Sequence, residues 1–376
     1  VPRNSRHTIA AAVLSAALIA GVAPVLTATA AAPAAVPAAN VGANLGLYGV
    51  QDPTYDGVLR EGYAFVALRT AGRAVPAVAV RWLLRQQCAD GSFTSYRAHP
   101  RFACTAKTPN AHDTNATALA VIGLDELGTP AATRAAARAL TWLEHDQNPD
   151  GGIGYTAGAA TDSNSTGLFV QALVASGVNP VKVVSRRGKN PYRALIGRQV
   201  GCTGPAAERG GLAYQAAKPL VPDSLATTGG LLGLAGGSDP VAPRPRSTAV
   251  PQLACGTGAP ARVQATAARA AAGYVARDLA AHGGVIIGYD GKTPDIGQTV
   301  TSVLGLIRVG VASHQVTRAV LGLKGGSLNS WVLTGGHVRP AAAAESILLA
   351  RALGASPTAF GGVDYVRELV ASGPHS

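Results

Sequence analysis

From about residue 55 onward, apolar positions recur every three to four residues in stretches of ten to twenty, and each stretch stops at glycine or a Gly-rich polar loop. The pattern is sharpest over 131–177. There, a helical stretch over 131–145 carrying Trp142 runs into Gln147-Asn148-Pro149-Asp150-Gly151-Gly152-Ile153-Gly154-Tyr155, and a second helix follows from Asp162-Ser163-Asn164-Ser165-Thr166 to Gly177. Both halves recur. Trp82-Leu83-Leu84 with Gln87 and Asp90-Gly91-Ser92-Phe93 copies the first, Asp113-Thr114-Asn115-Ala116-Thr117 copies the second, and Gly283-Gly284-Val285-Ile286-Ile287-Gly288-Tyr289 repeats the loop. Helices are predicted over 56–71 and 75–87, 113–127 and 131–145, 162–176 and 191–200, from 223 and over 262–281, 295–310 and 313–323, and 340–353 and 359–371. Gly128 with Pro130 and Gly177 with Pro180 are helix stops, a C-terminal glycine followed by a proline.

This amounts to six helix pairs in an all-α chain. A pair cannot bury its apolar face alone, so pairs stack, and six pairs with a uniform turn close on themselves into six inner and six outer helices. The final pair is rich in Ala, Leu and Val rather than polar, which suits closure better than an exposed end. The repeats assign 55–376 to one domain, interrupted at about 236–260 by a Pro/Gly-rich excursion too long for an ordinary turn. Residues 1–30 read as a secretory signal: Arg3 to Arg6 as the basic start, an apolar run over 8–26, and Ala28-Thr29-Ala30 as the cleavage site. An Ala/Pro-rich flexible lead-in is expected over 31–54. The mature chain is expected to be secreted, with no stable membrane span.

Composition changes the picture in two places. The net charge is +12, or +10 once Arg3 and Arg6 leave with the signal; its arginines are spaced singly along helices, as on a solvated face, and aromatic residues are few, so nucleic-acid binding is not expected. The four cysteines of an exported chain imply two disulfides. Cys88 and Cys104 share one loop and are paired, which leaves Cys202 with Cys255. On a simple ring the latter two fall at opposite rims, and only the excursion can bring them together. The spacing fits no zinc site, and no cofactor is expected.

The repeats from Tyr55 onward resemble the α/α-toroid group of terpenoid cyclases, protein prenyltransferase β chains and transcobalamin-like binding proteins. The loops at Gln87 to Phe93 and Gln147 to Tyr155 look like the Gln-x-x-x-Gly turn of those repeats, and Asp162-Ser163-Asn164-Ser165-Thr166 is similar to exported bacterial members with prenyltransferase- and squalene-oxidase-like repeats. The resemblance implies a closed helical barrel. The catalytic signatures of the group are missing. The Asp-x-Asp-Asp acid of class II cyclases is met only by Asp113, with Asn115 and Ala116 where acids should stand; Asp295 and His337 lack a cysteine to complete a zinc set; and Gly201-Cys202-Thr203-Gly204 is not a thioester motif.

Asp113, Asp162, Asp223 and Asp295 each open the first helix of a pair, where a carboxylate caps free backbone N–H groups. In a ring, all four gather at one mouth. Asn115, Asn164 and Gln298, slightly further along, are then free to face a ligand, and Tyr155 and Tyr289 end equivalent loops and form an aromatic rim. His112 beside Asp113 has the form of a base with an orienting acid, without a nucleophile to go with it. Trp82 and Trp142 are assigned to the core. The reading that follows is a non-catalytic exported toroid binding a small-molecule or envelope ligand, a corrinoid among the options, at its central cavity. The alternatives are a toroid enzyme cleaving a glycan, a diverged cyclase, and a purely structural ring.

Overall fold

A computed structural model describes residues 45–105, 112–259, 261 and 263–374, so the signal segment and most of the lead-in lie outside the described residues. Its helices are α1 (Gly57–Thr70), α2 (Ala77–Gln86), α3 (Thr114–Asp125), α4 (Pro130–His145), α5 (Ser163–Ala175), α6 (Pro191–Gly197), α7 (Ser224–Leu234), α8 (Gln264–Ala281), α9 (Ile296–Val309), α10 (Ser313–Gly322), α11 (Leu328–Val332), α12 (Pro340–Ala352) and α13 (Tyr365–Ala371). Each predicted stretch holds one of them. The last starts at Tyr365 rather than near 359, because Asp364 is its cap and Phe360–Gly362 forms a 3-10 turn first. Unpredicted are α11 and the π-helical turn Leu323–Ser327 leading into it. Strand among the described residues is confined to two minimal antiparallel hairpins, Ile286–Ile287 with Pro294–Asp295 and Leu333–Thr334 with His337–Val338, and a few isolated bridges.

The packing runs round a cycle. Helix α1 packs on α3, α3 on α5, α5 on α7, α7 on α9, α9 on α12, and α12 returns to α1, while α2, α4, α6, α8, α10 and α13 each pack on the cycle member before them in the chain. Sequence explains which helix goes where. Helix α3 is buried at every position from Ala116 to Gly123 and Leu124, an apolar helix with no polar face to offer water. Its partner α4 buries only Ala132, Ala135, Ala136, Ala139, Leu140 and Leu143, a single stripe at three-to-four spacing, and turns its arginines outward.

The expected flexible lead-in is corrected for its final ten residues. Leu47 and Tyr48 are buried; the Tyr48 N–H donates to Glu61 at 2.6 Å, and Arg60 donates to the Tyr48 carbonyl at 3.0 Å. The Gly49 N–H reaches the Ser372 carbonyl at 2.8 Å, and Gln51 reaches the Val338 carbonyl at 2.8 Å. These bonds tie the start of the domain to its end, which the Ala/Pro-rich composition upstream does not foretell.

Both predicted disulfides form. The excursion resolves the rim problem for Cys202 and Cys255 by crossing the outside of the ring. It is held by Ser247 N–H on Gly310, Ala312 N–H on Ala249 and Arg277 on the Pro251 carbonyl, while Arg277 also binds the Arg209 carbonyl beside the Cys202 loop. Where it crosses α8 there is no room for a side chain. A Cβ on Gly273 would lie 1.6 Å from the Pro251 oxygen.

In an open helix, Gly→Ala stabilises by about 0.5–1 kcal/mol. At Gly273 the sign is expected to reverse: Gly273→Ala should cost about 2 kcal/mol or more, since the excursion must shift. Urea denaturation checks this, and a midpoint equal to or above that of the parent would show that the crossing is not tight.

Candidate functional site

One end of the helix cycle is laced by backbone hydrogen bonds from loop to loop. The Val58 N–H donates to the Ser95 carbonyl, Asp113 to Phe93, Thr114 to Tyr155, Asp162 to Ile153, Ser163 to Tyr214 and Asp223 to Leu212, all between 2.9 and 3.1 Å. A threonine one turn into each of four helices seals the lacing. Thr117, Thr166, Thr227 and Thr299 each accept the N–H of a loop residue, Phe93, Ile153, Leu212 and Ile286 respectively. The loops themselves are clamped from outside by Gln87, Gln147 and Gln199, whose amides donate to the carbonyls of Gly91, Gly151 and Gly210. Gly210, at φ +91°, admits no side chain because a Cβ there would stand 2.4 Å from the Ala270 carbonyl of α8.

This belt sets the four aspartates at the helix starts. Each carboxylate accepts from a backbone N–H three residues on: Asp113 from Ala116 at 2.9 Å, Asp162 from Ser165 at 2.7 Å, Asp223 from Ala226 at 2.6 Å and Asp295 from Gln298 at 2.9 Å. They are therefore caps, and two are more. Asp113 is fully buried and also takes hydrogen bonds from the hydroxyls of Ser95, at 2.7 Å, and Tyr155. Burial pushes the Asp113 and Asp162 carboxyls up, against the pull of those bonds.

Tyr155 and Tyr289 stand at this same end, joined by Tyr214. Burial raises the Tyr155 phenol, with Asp113 and Tyr214 adding to the effect. The Tyr214 and Tyr289 phenols are pushed up to about 12, again by burial first; the charges of Asp162, Tyr289 and Asp223 add to the effect on Tyr214, and those of Asp223, Asp295 and Asp162 to that on Tyr289. Tyr214 was missed in the sequence, although Gly210-Gly211-Leu212-Ala213-Tyr214 repeats the form of Gly151-Gly152-Ile153-Gly154-Tyr155.

Asn115, Asn164 and Gln298 lie in the first turn of α3, α5 and α9, and their side-chain oxygens are buried with no hydrogen-bond partner among the described residues. Asn164 reaches across to α7: a Cβ on Gly229 would meet its amide carbon at 3.1 Å. A buried carbonyl oxygen without a donor costs about 1–3 kcal/mol, so three in the first turns of cycle helices, two of them at the same place after the cap, call for an explanation beyond packing.

Further in, three groups absent from the sequence reading converge. Glu345 of α12 has its carboxyl raised to about 8 by burial and by the charges of Asp239 and Asp295, against the pull of Arg339. Asp239, from the excursion, is raised by burial to about 7 and has one oxygen unpartnered. Burial also lifts the Tyr63 phenol of α1, helped by Glu345 and Asp239. All three keep part of their surface open, yet protein surrounds them densely enough to govern their titration, as it does for groups facing an enclosed space. The signal for Glu345 was present, a lone acid in Ala341-Ala342-Ala343-Ala344-Glu345-Ser346-Ile347; Asp239 sits in an aperiodic segment and gave none.

The His112 expectation is corrected. Its ring does not pair with Asp113, whose carboxylate is committed to the cap, Ser95 and Tyr155. Instead, His112 Nδ1 lies 3.1 Å from Asp90 and 2.9 Å from Ser92 Oγ, and the ring stacks at 6.2 Å on Trp142. Both partners meet the same ring nitrogen, so no relay from acid through imidazole to hydroxyl is formed. Trp142 is only half-buried, whereas Trp82 is in the core. Donor atoms of Cys88, Asp90 and His112 lie within 4.8 Å of one another, but the sulfur is bonded to Cys104.

No protein-family model matches the chain, and no curated protein matches it in sequence. Among solved structures it is similar to a protein from Actinoplanes, at 16% identity over 74% of this chain and 83% of the other with a TM-score of 0.32. It is also distantly similar to cellobiose 2-epimerase from Spirochaeta thermophila, at 15% identity over 87% of this chain and 88% of that one with a TM-score of 0.42. Neither likeness is close enough to assign an activity.

Glu345 and Asp239 hold their protons more tightly folded than unfolded, since their carboxyls rise from 4.5 and 3.8 to about 8 and 7. The stability they contribute is thus complete below the unfolded values and is lost as pH rises through about 7 to 8. Glu345→Gln should flatten the fall in urea midpoint between about pH 5 and about pH 8.5. An unchanged slope in both Glu345→Gln and Asp239→Asn would show that these carboxyls titrate normally.

Proposed function

We propose that this chain is an exported α/α toroid that binds a small ligand at the Asp/Tyr end and interior of its helix cycle, without transforming it. The cycle of α1, α3, α5, α7, α9 and α12, each backed by an outer helix, supports the toroid reading. Two disulfides among the described residues, and no helix long and apolar enough to cross a membrane, support export. The observation that carries ligand binding is the set of three partnerless buried oxygens on Asn115, Asn164 and Gln298. Those are acceptors, and the nearest charges are the carboxylates of Asp113, Asp162, Asp223 and Asp295. A ligand rich in hydrogen-bond donors, a polyol or an amine, satisfies them; an anion does not.

A second reading is favoured by one observation. Glu345 and Asp239 hold protons near neutral pH, which is what a general acid needs, and a polyol bound beside them would present a glycosidic oxygen to protonate. On that reading the protein cleaves a glycan.

Native mass spectrometry of the purified protein after incubation with a cell extract identifies a retained mass. Asn164→Ala and Gln298→Ala should each weaken its retention about ten-fold, the loss of one buried hydrogen bond, while Asp162→Asn, which still caps α5, tests whether the charge matters. Unchanged retention in all three variants would rule out this end of the cycle as the site. Release of a shortened glycan by the parent but not by Glu345→Gln or Asp239→Asn would decide for the enzyme.

A further inference from the structure

A second cleft is lined by the end of α2 and the loop closed by Cys88 and Cys104. Its volume is about 1070 Å³. Part of its lining is apolar: Leu84 and the almost fully buried Trp82 of α2, with Leu45 and Phe102, which are 67% and 59% exposed. Part is cationic. Arg85, Arg97 and Arg101 line it beside His99, and among the described residues no aspartate or glutamate does.

Arg97 explains why the cationic wall is rigid. It is buried, and its guanidinium donates to the carbonyls of Arg85, Gln86, Gln87, Pro100 and Phe102, which pins the disulfide loop to the end of α2. Among the described residues no carboxylate pairs with that charge, and burial holds the guanidinium below its usual basicity. A buried cation neutralised only by carbonyl dipoles leaves a positive field in the cleft. Arg85 and Arg101 are exposed, and their guanidinium N–H groups make no hydrogen bond or ion pair among the described residues. Arg101 lies over the Phe102 ring at 4.9 Å, and His99 meets that ring edge-on at 6.0 Å. The cleft therefore offers free donors and uncompensated positive charge beside aliphatic and aromatic surface.

We infer that this cleft is a binding site for an amphiphilic anion, with an oxyanion head (carboxylate or phosphate) held by Arg85 and Arg101 and an apolar body lying against Trp82, Leu84 and Phe102. The site is independent of the proposed toroid ligand. The two differ in the sign of charge they prefer: acceptors and carboxylates at the helix mouth, cations here. Two separate ligand classes on one chain follow from that.

The test uses decanoate, decyl phosphate, neutral monodecanoylglycerol and cationic decyltrimethylammonium, each below its micelle-forming concentration, with Trp82 emission as the readout and Trp82→Phe as the control for the other tryptophans. Decanoate or decyl phosphate should give a saturable change that weakens with added salt. Response to decanoate alone marks a carboxylate source and response to decyl phosphate alone a phosphate source. Arg85→Ala/Arg101→Ala should weaken the response at least ten-fold; both side chains are exposed, so the melting temperature should hold, and Arg101→Gln alone serves if it does not. Equal response to the neutral or cationic probe, full binding by the double variant, or no saturable change would overturn the assignment.

Discussion

The loop-to-loop belt of backbone hydrogen bonds is the constraint on which everything else at the helix mouth depends. Each loop residue that pairs with the next helix start fixes two things together: the start of the helix, through its aspartate cap, and the position of the tyrosine that ends the loop. The threonines are part of the same device: the hydroxyls of Thr117, Thr227 and Thr299 accept the loop N–H and donate to the carbonyl of the capping aspartate, while Thr166 returns its bond to the Ile153 carbonyl of the loop. A helix start and a rim side chain are thus placed by one set of bonds. The lacing also accounts for the buried aspartates, whose charge is met by two or three hydrogen-bond donors each, with Arg198 adding its field at Asp162.

That arrangement gives the protein an uneven distribution of charge. The chain is basic overall, yet its helix mouth gathers four aspartates, and Glu345 and Asp239 add two carboxyls inside that hold their protons up to about pH 8 and about pH 7. The arginines either face outward or, like Arg97 and Arg198, spend their donors on carbonyls and loop acids: Arg198 binds Asp150 at 2.8 Å and the Thr161 carbonyl at 3.0 Å. The two ligands we propose, donor-rich at the mouth and anionic in the cleft beside Cys88, follow that separation.

The excursion over 236–260 serves more than one end. It crosses α8 at Gly273, carries Cys255 to Cys202, and sends Asp239 toward Glu345 and Tyr63. Closing a loop of 53 residues is worth about 4 kcal/mol on the chain-entropy account, so the bridge also holds an irregular segment that has little core of its own.

Periodicity alone determined the twelve helices of the six pairs, though not α11, and the pairing within them, because an all-apolar helix and a one-stripe helix have only one stable relation to water. The capping aspartates were legible for the same reason: a carboxylate before an apolar run has one local use. The Cys88 to Cys104 bridge was equally local, both cysteines lying in one loop. What lay beyond the sequence is whatever depends on two distant segments meeting. Glu345 and Asp239 acquire their raised carboxyls only from mutual approach and surrounding protein, and neither is visible in a pattern of 3.6 residues. His112 looked like a partner of Asp113, its neighbour in sequence, but consecutive side chains at a helix start diverge, and the fold gave it Asp90, Ser92 and Trp142 instead. The lead-in at 45–54 became ordered because Tyr48 bonds to Arg60 and Glu61 of α1 and Gly49 and Gln51 bond to Ser372 and Val338 near the other end of the chain, relations that local composition does not encode.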